Sequence, residues 1–286
     1  MSNKLYIIFF LLFLSILTTF SQSALSGADI EKQSVKVFED IVEKFRTDKS
    51  KSTGDLVMKI GRYFLGKPYW GYTLENNDTE QLVVNLVQFD CTTLVENCLA
   101  LARTIKNPVC TFETFRKELQ TIRYRNGQIT DYTSRLHYFS DWIFNNSQKN
   151  IVHDMSCEMG NVQFNNFVDY MTQHSETYKM LKNNGDFINK ITAFEKEISF
   201  RKNCFIPKND IYKFESLIQN GDILGITTNI KGMDISHVVL AVYENEQLRI
   251  LHASSKQMKV VISNETLIQY LANRMDATGI VIARPL

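Results

Sequence analysis

The chain is short of several things that would have settled its class early. Four prolines (Pro68, Pro108, Pro207, Pro285) are scattered through 286 residues. No Gly/Ser-rich linker, internal repeat or low-complexity tract breaks the run, so nothing marks a solenoid or beads joined by tethers. Charge of one sign is also missing: 32 Lys and Arg stand against 31 Asp and Glu. That balance gives no support to nucleic-acid binding or to a polybasic membrane surface. There is no His-Glu-x-x-His pattern for a zinc hydrolase. Cysteines number five (Cys91, Cys98, Cys110, Cys157, Cys204), an odd count that leaves at least one thiol without an intramolecular partner.

What is present begins with a leader. Lys4 is the only charge before Asp29, an apolar stretch runs from Leu5 to about Leu17, and small residues follow to Ala24. This reads as a cleaved secretory signal over residues 1–24, too short for a stable membrane anchor of about 20 residues. Export to the periplasm or the medium is the expected destination. The remaining chain, 25–286, is long enough to bury a substantial core and is expected to form one domain.

Amphipathic helices are expected over 28–48 and 54–65, the second capped by Ser52-Thr53 and stopped by Gly66-Lys67-Pro68. Phe89-Asp-Cys-Thr-Thr-Leu-Val-Glu-Asn-Cys98 carries a sharper signal. Asp90 can cap a helix that places Cys91 in its first turn, where free backbone amides and the macrodipole favour an anion. A thiol so placed is expected to have a lowered pKa and to serve as a nucleophile. The alternative is a small buried apolar residue. Leu94, Cys98, Leu101 and Ile105 form one stripe, which assigns Cys98 to packing. Thr111 caps a further helix to about Ile122, and another is expected from Ser134 to Phe144. Asp131, Tyr132, Ser134 and Arg135 would stand at its start, as substrate contacts or as a structural hydrogen-bond network. His137 would be a structural histidine inside that helix, and His153 and His174 surface or loop residues. Helical patterns near 176–183 and 186–200 carry no evident chemistry.

Past residue 203 the chain turns to β-branched segments: 222–227, 237–243, 247–254, 259–263 and 278–284, with a short helix at 266–272. A helical first half and an antiparallel second half define an α+β fold. If Tyr243 faces Leu248 in a hairpin, His252 lies opposite Val239, and His237 and His252 project from one face as diagonal neighbours. A slip of one residue would separate them. Joined to the capped cysteine, they suggest a thiol protease or amidase: Cys91 as nucleophile, His237 as general base and acid, His252 orienting it. The Cys91 backbone N–H would serve a developing oxyanion. One cysteine and two histidines could also hold zinc, but no fourth ligand is evident.

The loop Pro68-Tyr69-Trp70-Gly71, the run Phe89–Glu96, the segment Ser236-His237-Val238 and the run His252-Ala-Ser-Ser255 resemble, in that order, the NlpC-type papain-like cell-wall hydrolases. Ser134-Arg-Leu-His-Tyr-Phe-Ser-Asp-Trp-Ile143 and Gly221-Asp222-Ile223 more closely resemble the AmiA-like N-acetylmuramoyl-L-alanine amidase family. The resemblance spans residue 55 to the end. It implies a papain-like fold with helical insertions, a Cys91-His237-His252 triad without cofactor or metal, and Tyr69 reaching toward the nucleophile. Residues expected to touch substrate are Tyr69, Asp90, Thr92, Asp131, Tyr132, Ser134, Arg135 and Ser236. Thr92 replaces the Ser usual after the nucleophile, and Val239 a common Gly. The implied partner is peptidoglycan or a muropeptide, cut between the muramic acid lactyl group and L-Ala, including in anhydro-muropeptides. A γ-D-glutamyl endopeptidase of the stem peptide and a non-catalytic muropeptide-binding module are the alternatives.

Overall fold

The computed structural model describes residues 27–160, 162–164 and 167–286. The expected leader lies outside them. Helix α1 (Gly27–Phe45) buries Phe38, Ile41 and Phe45 along one face. Helix α2 (Thr53–Tyr63) starts where Ser52 Oγ accepts the Asp55 amide at 3.1 Å. It ends before Gly66, whose φ of +81° lets the chain turn back. Helix α3 (Cys91–Lys106) and helix α4 (Phe112–Arg123, capped by Thr111) complete the helical layer. Leu94, Cys98, Leu101 and Ile105 are fully buried, as their spacing required.

Against this layer lies one antiparallel sheet of eight strands. Strands β1 (Val152–Asp154), β2 (Val162–Gln163) and β3 (Cys204–Pro207) come from the middle of the chain. Strands β4 (Ile223–Thr228), β5 (Ile235–Glu244), β6 (Gln247–Ser254), β7 (Lys259–Ile262) and β8 (Ala277–Pro285) supply the rest. The order is β2-β3-β8-β4-β5-β6-β7, with β1 also on β8. Helix α9 (Leu267–Ala272) sits between β7 and β8, capped by Thr266. In the β5–β6 hairpin Tyr243 faces Leu248 and Leu240 faces Leu251, the register expected from the sequence. It is fixed by a two-residue turn in which Asn245 (φ 50°) and Glu246 (φ 66°) are both left-handed, so its twist matches that of the strands. The mixed helix-plus-antiparallel-sheet organisation is α+β.

Helix α3 packs on β5 and β6, and α2 crosses close beside it. A Cβ on Gly61 would meet Leu240 Cδ1 at 3.0 Å, so the absence of a side chain there sets the helix–sheet distance. Between the helices an ion pair is sealed from water: Arg123 Nε donates to Glu96 Oε2 at 2.7 Å, with both side chains no more than 3% exposed.

Three expectations fail. The helix expected from Ser134 starts at Phe139 instead (α5, Phe139–Gln148). Tyr132–Ser134 is a 3-10 turn, and His137 precedes the helix. The reason is competition from long-range partners: Arg135 is extended and ion-paired to Glu75 (2.8 Å) and Glu80 (3.1 Å), while the Leu136 amide donates to Arg123 O at 3.0 Å. The pattern near 176–183 forms only a 3-10 turn at Ser175–Thr177. The chain reverses at Asn183 (φ 59°), and Asn184 then caps α8 (Gly185–Phe200). The excursion from β1 to β3, which also holds short helices α6 (Ser156–Met159) and α7 (Tyr170–Gln173), reaches the sheet through β1, β2 and β3. The Cys157–Cys204 disulfide closes its base, leaving Cys91, Cys98 and Cys110 free.

Candidate active site

Asp90 starts α3 with a reciprocal cap. Its Oδ1 accepts the Thr93 amide at 2.8 Å, and Thr93 Oγ1 accepts the Asp90 amide at 3.0 Å. Cys91 is therefore the first helical residue, anchored by the buried stripe behind it. The preceding residue, Phe89, zips to the loop before it: Phe89 donates to Pro68 O (3.0 Å) and Trp70 donates to Phe89 O (2.9 Å). From the other side the Tyr69 amide donates to Met258 O at 3.0 Å. This holds Tyr69 beside the helix start. Its hydroxyl pKa is raised by burial, then by Cys91 and Asp90, so the phenol stays protonated and able to donate.

The two histidines meet as the register required. His237 Nε2 and His252 Nδ1 are 2.8 Å apart, with the rings edge-on at 5.0 Å. That bond occupies His237 Nε2 and leaves its Nδ1 as the nitrogen able to serve a thiol. Burial, then His252 and Arg274, push the His237 pKa down to about 3. Burial and then Arg274 push His252 down to about 4. Both rings are neutral at neutral pH.

Cys91 and His237 line one cavity of about 290 Å³, whose walls include Thr92, Glu75, Tyr132, His137, Tyr170 and Tyr178. His237 and Ser236 are shared with a second cavity of about 790 Å³, to which His252, Tyr270 and Arg274 also belong. Together they form a cleft that crosses the histidine pair. The expectation of a depressed thiol pKa is overturned. Burial and then the Asp90 carboxylate raise Cys91 to about 11, outweighing hydrogen bonds from Val238 and Thr92. The helix terminus does not prevail, because burial strips the thiolate of water and the cap that positions the thiol adds a negative charge beside it. At rest the pair is a neutral thiol and a neutral imidazole.

The structure gathers Cys91, Thr92, Tyr132, Ser236, His237 and His252 along this cleft, with Tyr69 at the helix start. Asp90 acts as the cap. Asp131 and Ser134 lie elsewhere: Asp131 accepts from Thr133 and pairs with Lys190 (2.6 Å), and Ser134 Oγ donates to Asp131 O at 2.6 Å. Arg135 sits behind the wall, holding Glu75 and Glu80. His137 bonds Tyr132 O at 2.8 Å, and burial drives its pKa to about 3. Although it lines the Cys91 cavity, it is committed to that carbonyl. Surface His153 pairs with Glu158, and His174 bonds Tyr170 O. Glu75, Tyr170, Tyr178, Tyr270 and Arg274 went unnoticed in the sequence. Nothing local in the sequence marks them as cleft residues. Among the described residues no group of three His, Cys, Asp or Glu is placed to hold a metal ion. No helix among them is long and apolar enough to cross a membrane.

The family profile described as AmiA-like, N-acetylmuramoyl-L-alanine amidase-like, matches residues 59–280. No curated protein matches the chain. Among solved structures, an N-acetylmuramoyl-L-alanine amidase from Bacteroides uniformis is 36% identical, with a TM-score of 0.77 over 82% of this chain and 98% of its own. A Bacteroides fragilis protein provisionally described as a xylanase is 40% identical, with a TM-score of 0.75 over 79% and 99%. A Legionella pneumophila protein, at 24% identity, shares the fold with a TM-score of 0.69 over 91% and 97%. The chain belongs to the AmiA-like, N-acetylmuramoyl-L-alanine amidase-like family.

Proposed function

We propose that the protein is an exported cysteine amidase of papain-like, NlpC-type fold, one domain over residues 25–286. It cleaves the bond between the muramic acid lactyl group and L-Ala in peptidoglycan fragments, including anhydro-muropeptides. The observation that carries this reading is the 2.8 Å His237–His252 contact at the edge of the cavity that Cys91 lines. His237 Nδ1 takes the thiol proton as Cys91 attacks the lactyl carbonyl. The oxyanion that forms is met by the Cys91 amide and the Tyr69 hydroxyl. His237 returns the proton to the leaving L-Ala nitrogen, and water then cleaves the thioester by the same relay. Thr92, Tyr132 and Ser236 contact substrate from the walls. His252 accepts from His237 Nε2–H and fixes the working tautomer.

A disulfide between Cys157 and Cys204 suits an oxidising compartment and supports export. Glycoside hydrolysis, which a xylanase would perform, asks for a pair of working carboxylates. The two carboxylates on the Cys91 cavity are tied down: Glu75 by Arg135, and Asp234 by the amides of Ser140 and Ile235, 2.7 Å each.

The mechanism fixes a pH dependence. His237 accepts the thiol proton only while it is unprotonated, and its depressed pKa keeps it so well below the ordinary histidine value of about 6.5. The acid limb of kcat/KM, which reports the free enzyme, is therefore expected below pH 5, with no fall between pH 7 and 6. Initial-rate profiles on a defined muropeptide test this. A limb centred near 6.5 would mean that the base is an ordinary, solvated histidine.

A further inference from the structure

Arg274, just past α9, shares a cavity with both histidines, and its partners fix it there. Its Nε and Nη2 donate to Asp276 at 3.2 and 2.7 Å. Nη2 also donates at 3.2 Å to Ser236 Oγ, on the residue before His237. Nη1 lies 3.5 Å from the hydroxyl of Tyr270, whose ring stands edge-on to His252 at 5.6 Å. A guanidinium does not give up its proton in a protein. The result is a permanent positive charge, rigidly mounted beside two rings that the mechanism needs neutral at rest.

The other charged and titratable groups around the pair do not cancel it. Asp276 raises the His237 pKa by less than Arg274 lowers it, and after burial it is Arg274 that pushes His252 down. From the loop after β6, Lys256 is exposed and screened by water, and from the loop after β7, Glu265 accepts from Asn273 at 2.6 Å. On the α3 side Cys91 is a neutral thiol with Asp90 beyond it. Across the Cys91 cavity Glu75 is held by Arg135 and Asp234 by backbone amides, while His137 is neutral. Burial raises the pKa of Tyr132, Tyr178 and Tyr270, so these hydroxyls carry no charge.

A charge that opposes protonation of His237 acts on both halves of the relay. It works against the first transfer, in which the ring takes the thiol proton. It works in favour of the second, because an imidazolium beside a cation is a stronger acid and an amide nitrogen has to gain a proton to depart. We propose that Arg274 is a positioning residue for the proton relay: its fixed charge keeps both imidazoles unprotonated at rest and makes the His237 imidazolium, once formed, a better proton donor to the departing nitrogen. This rests on the amidase reading only for the use made of the proton. The action of the charge on the rings does not depend on it.

The test follows the imidazole signals of His237 and His252 by NMR titration of the intact chain carrying Cys91→Ala, beside the acid limb of kcat/KM in the active protein. Arg274→Gln removes the positive charge, so both midpoints and the limb are expected to rise by about one pH unit. Arg274→Lys keeps the charge and should stay near the parent. Asp276→Asn breaks the same ion pair from its other side but removes a negative charge, so its midpoints should lie at or below those of the parent. A brace that merely held the rings would respond alike to both losses. Unmoved midpoints in Arg274→Gln would overturn the proposal, as would parent midpoints near the ordinary value of about 6.5. A rise in Asp276→Asn would also overturn it, which keeps the test decisive if Arg274→Gln does not fold. Absence of hydrolysis on every muropeptide, with the opposed responses of the two variants intact, would instead count against the amidase reading alone.

Discussion

Cys91→Ala is expected to lower kcat/KM on a muropeptide by about 10⁴-fold or more, because it removes the atom that forms the acyl intermediate. His237→Ala should cost a similar amount, since a thiol held at about 11 does not ionise unaided at neutral pH. The double variant should be little worse than either single one, as groups acting in one proton relay are strongly non-additive. His252→Ala should be milder, about 10²- to 10⁴-fold, because it removes the orienting partner and leaves the base in place. None of the three touches the ion pairs that hold the fold, so their melting temperatures should stay near that of the parent. Steady-state kinetics beside thermal melts check the set. Parent-like turnover by Cys91→Ala would place the chemistry on other residues.

The largest expected effect on stability is at Glu96. Arg123 is 2% exposed and has two anchors, Glu96 Oε2 and Val83 O, each at 2.7 Å. Glu96→Ala leaves the guanidinium buried with a carbonyl alone, and breaking such a pair from one side costs about 3–5 kcal/mol. Replacing both partners with apolar residues of similar volume, Glu96→Met with Arg123→Leu, should recover most of that loss, because no buried charge then remains. Equilibrium urea unfolding measures both. A loss below about 1 kcal/mol in Glu96→Ala would mean that Arg123 finds water by local rearrangement.

The parts of the site that could be read in advance are those fixed by local rules. Asp90 and Cys91 were legible because capping is decided within four residues, and the observed reciprocal bonds with Thr93 follow that rule. The histidine pair was legible on one condition, that Tyr243 faces Leu248, because strand side chains alternate and that register puts both rings on one face; the two-residue turn meets the condition. The thiol pKa was misjudged because the helix terminus is a local feature, whereas desolvation depends on every element that closes over the thiol. Glu75, Arg135 and Glu80 pair across at least 55 residues of sequence, and that pairing is also what delays the start of α5. Tyr170 and Tyr178 reach the Cys91 cavity only because the excursion from β1 to β3 folds back over it. No periodicity in 150–202 encodes that return. Arg274 lay in a short run after α9 whose importance depends on where β8 re-enters the sheet.

The most direct test of the central claim is the mass of the products from one defined anhydro-muropeptide digested by the intact protein. The proposed amidase releases a sugar bearing a free lactyl carboxylate together with a peptide beginning at L-Ala, and Cys91→Ala releases neither. A sugar that still carries L-Ala and D-Glu, with the chain cut beyond the glutamyl residue, would contradict the amidase reading and identify a stem-peptide endopeptidase.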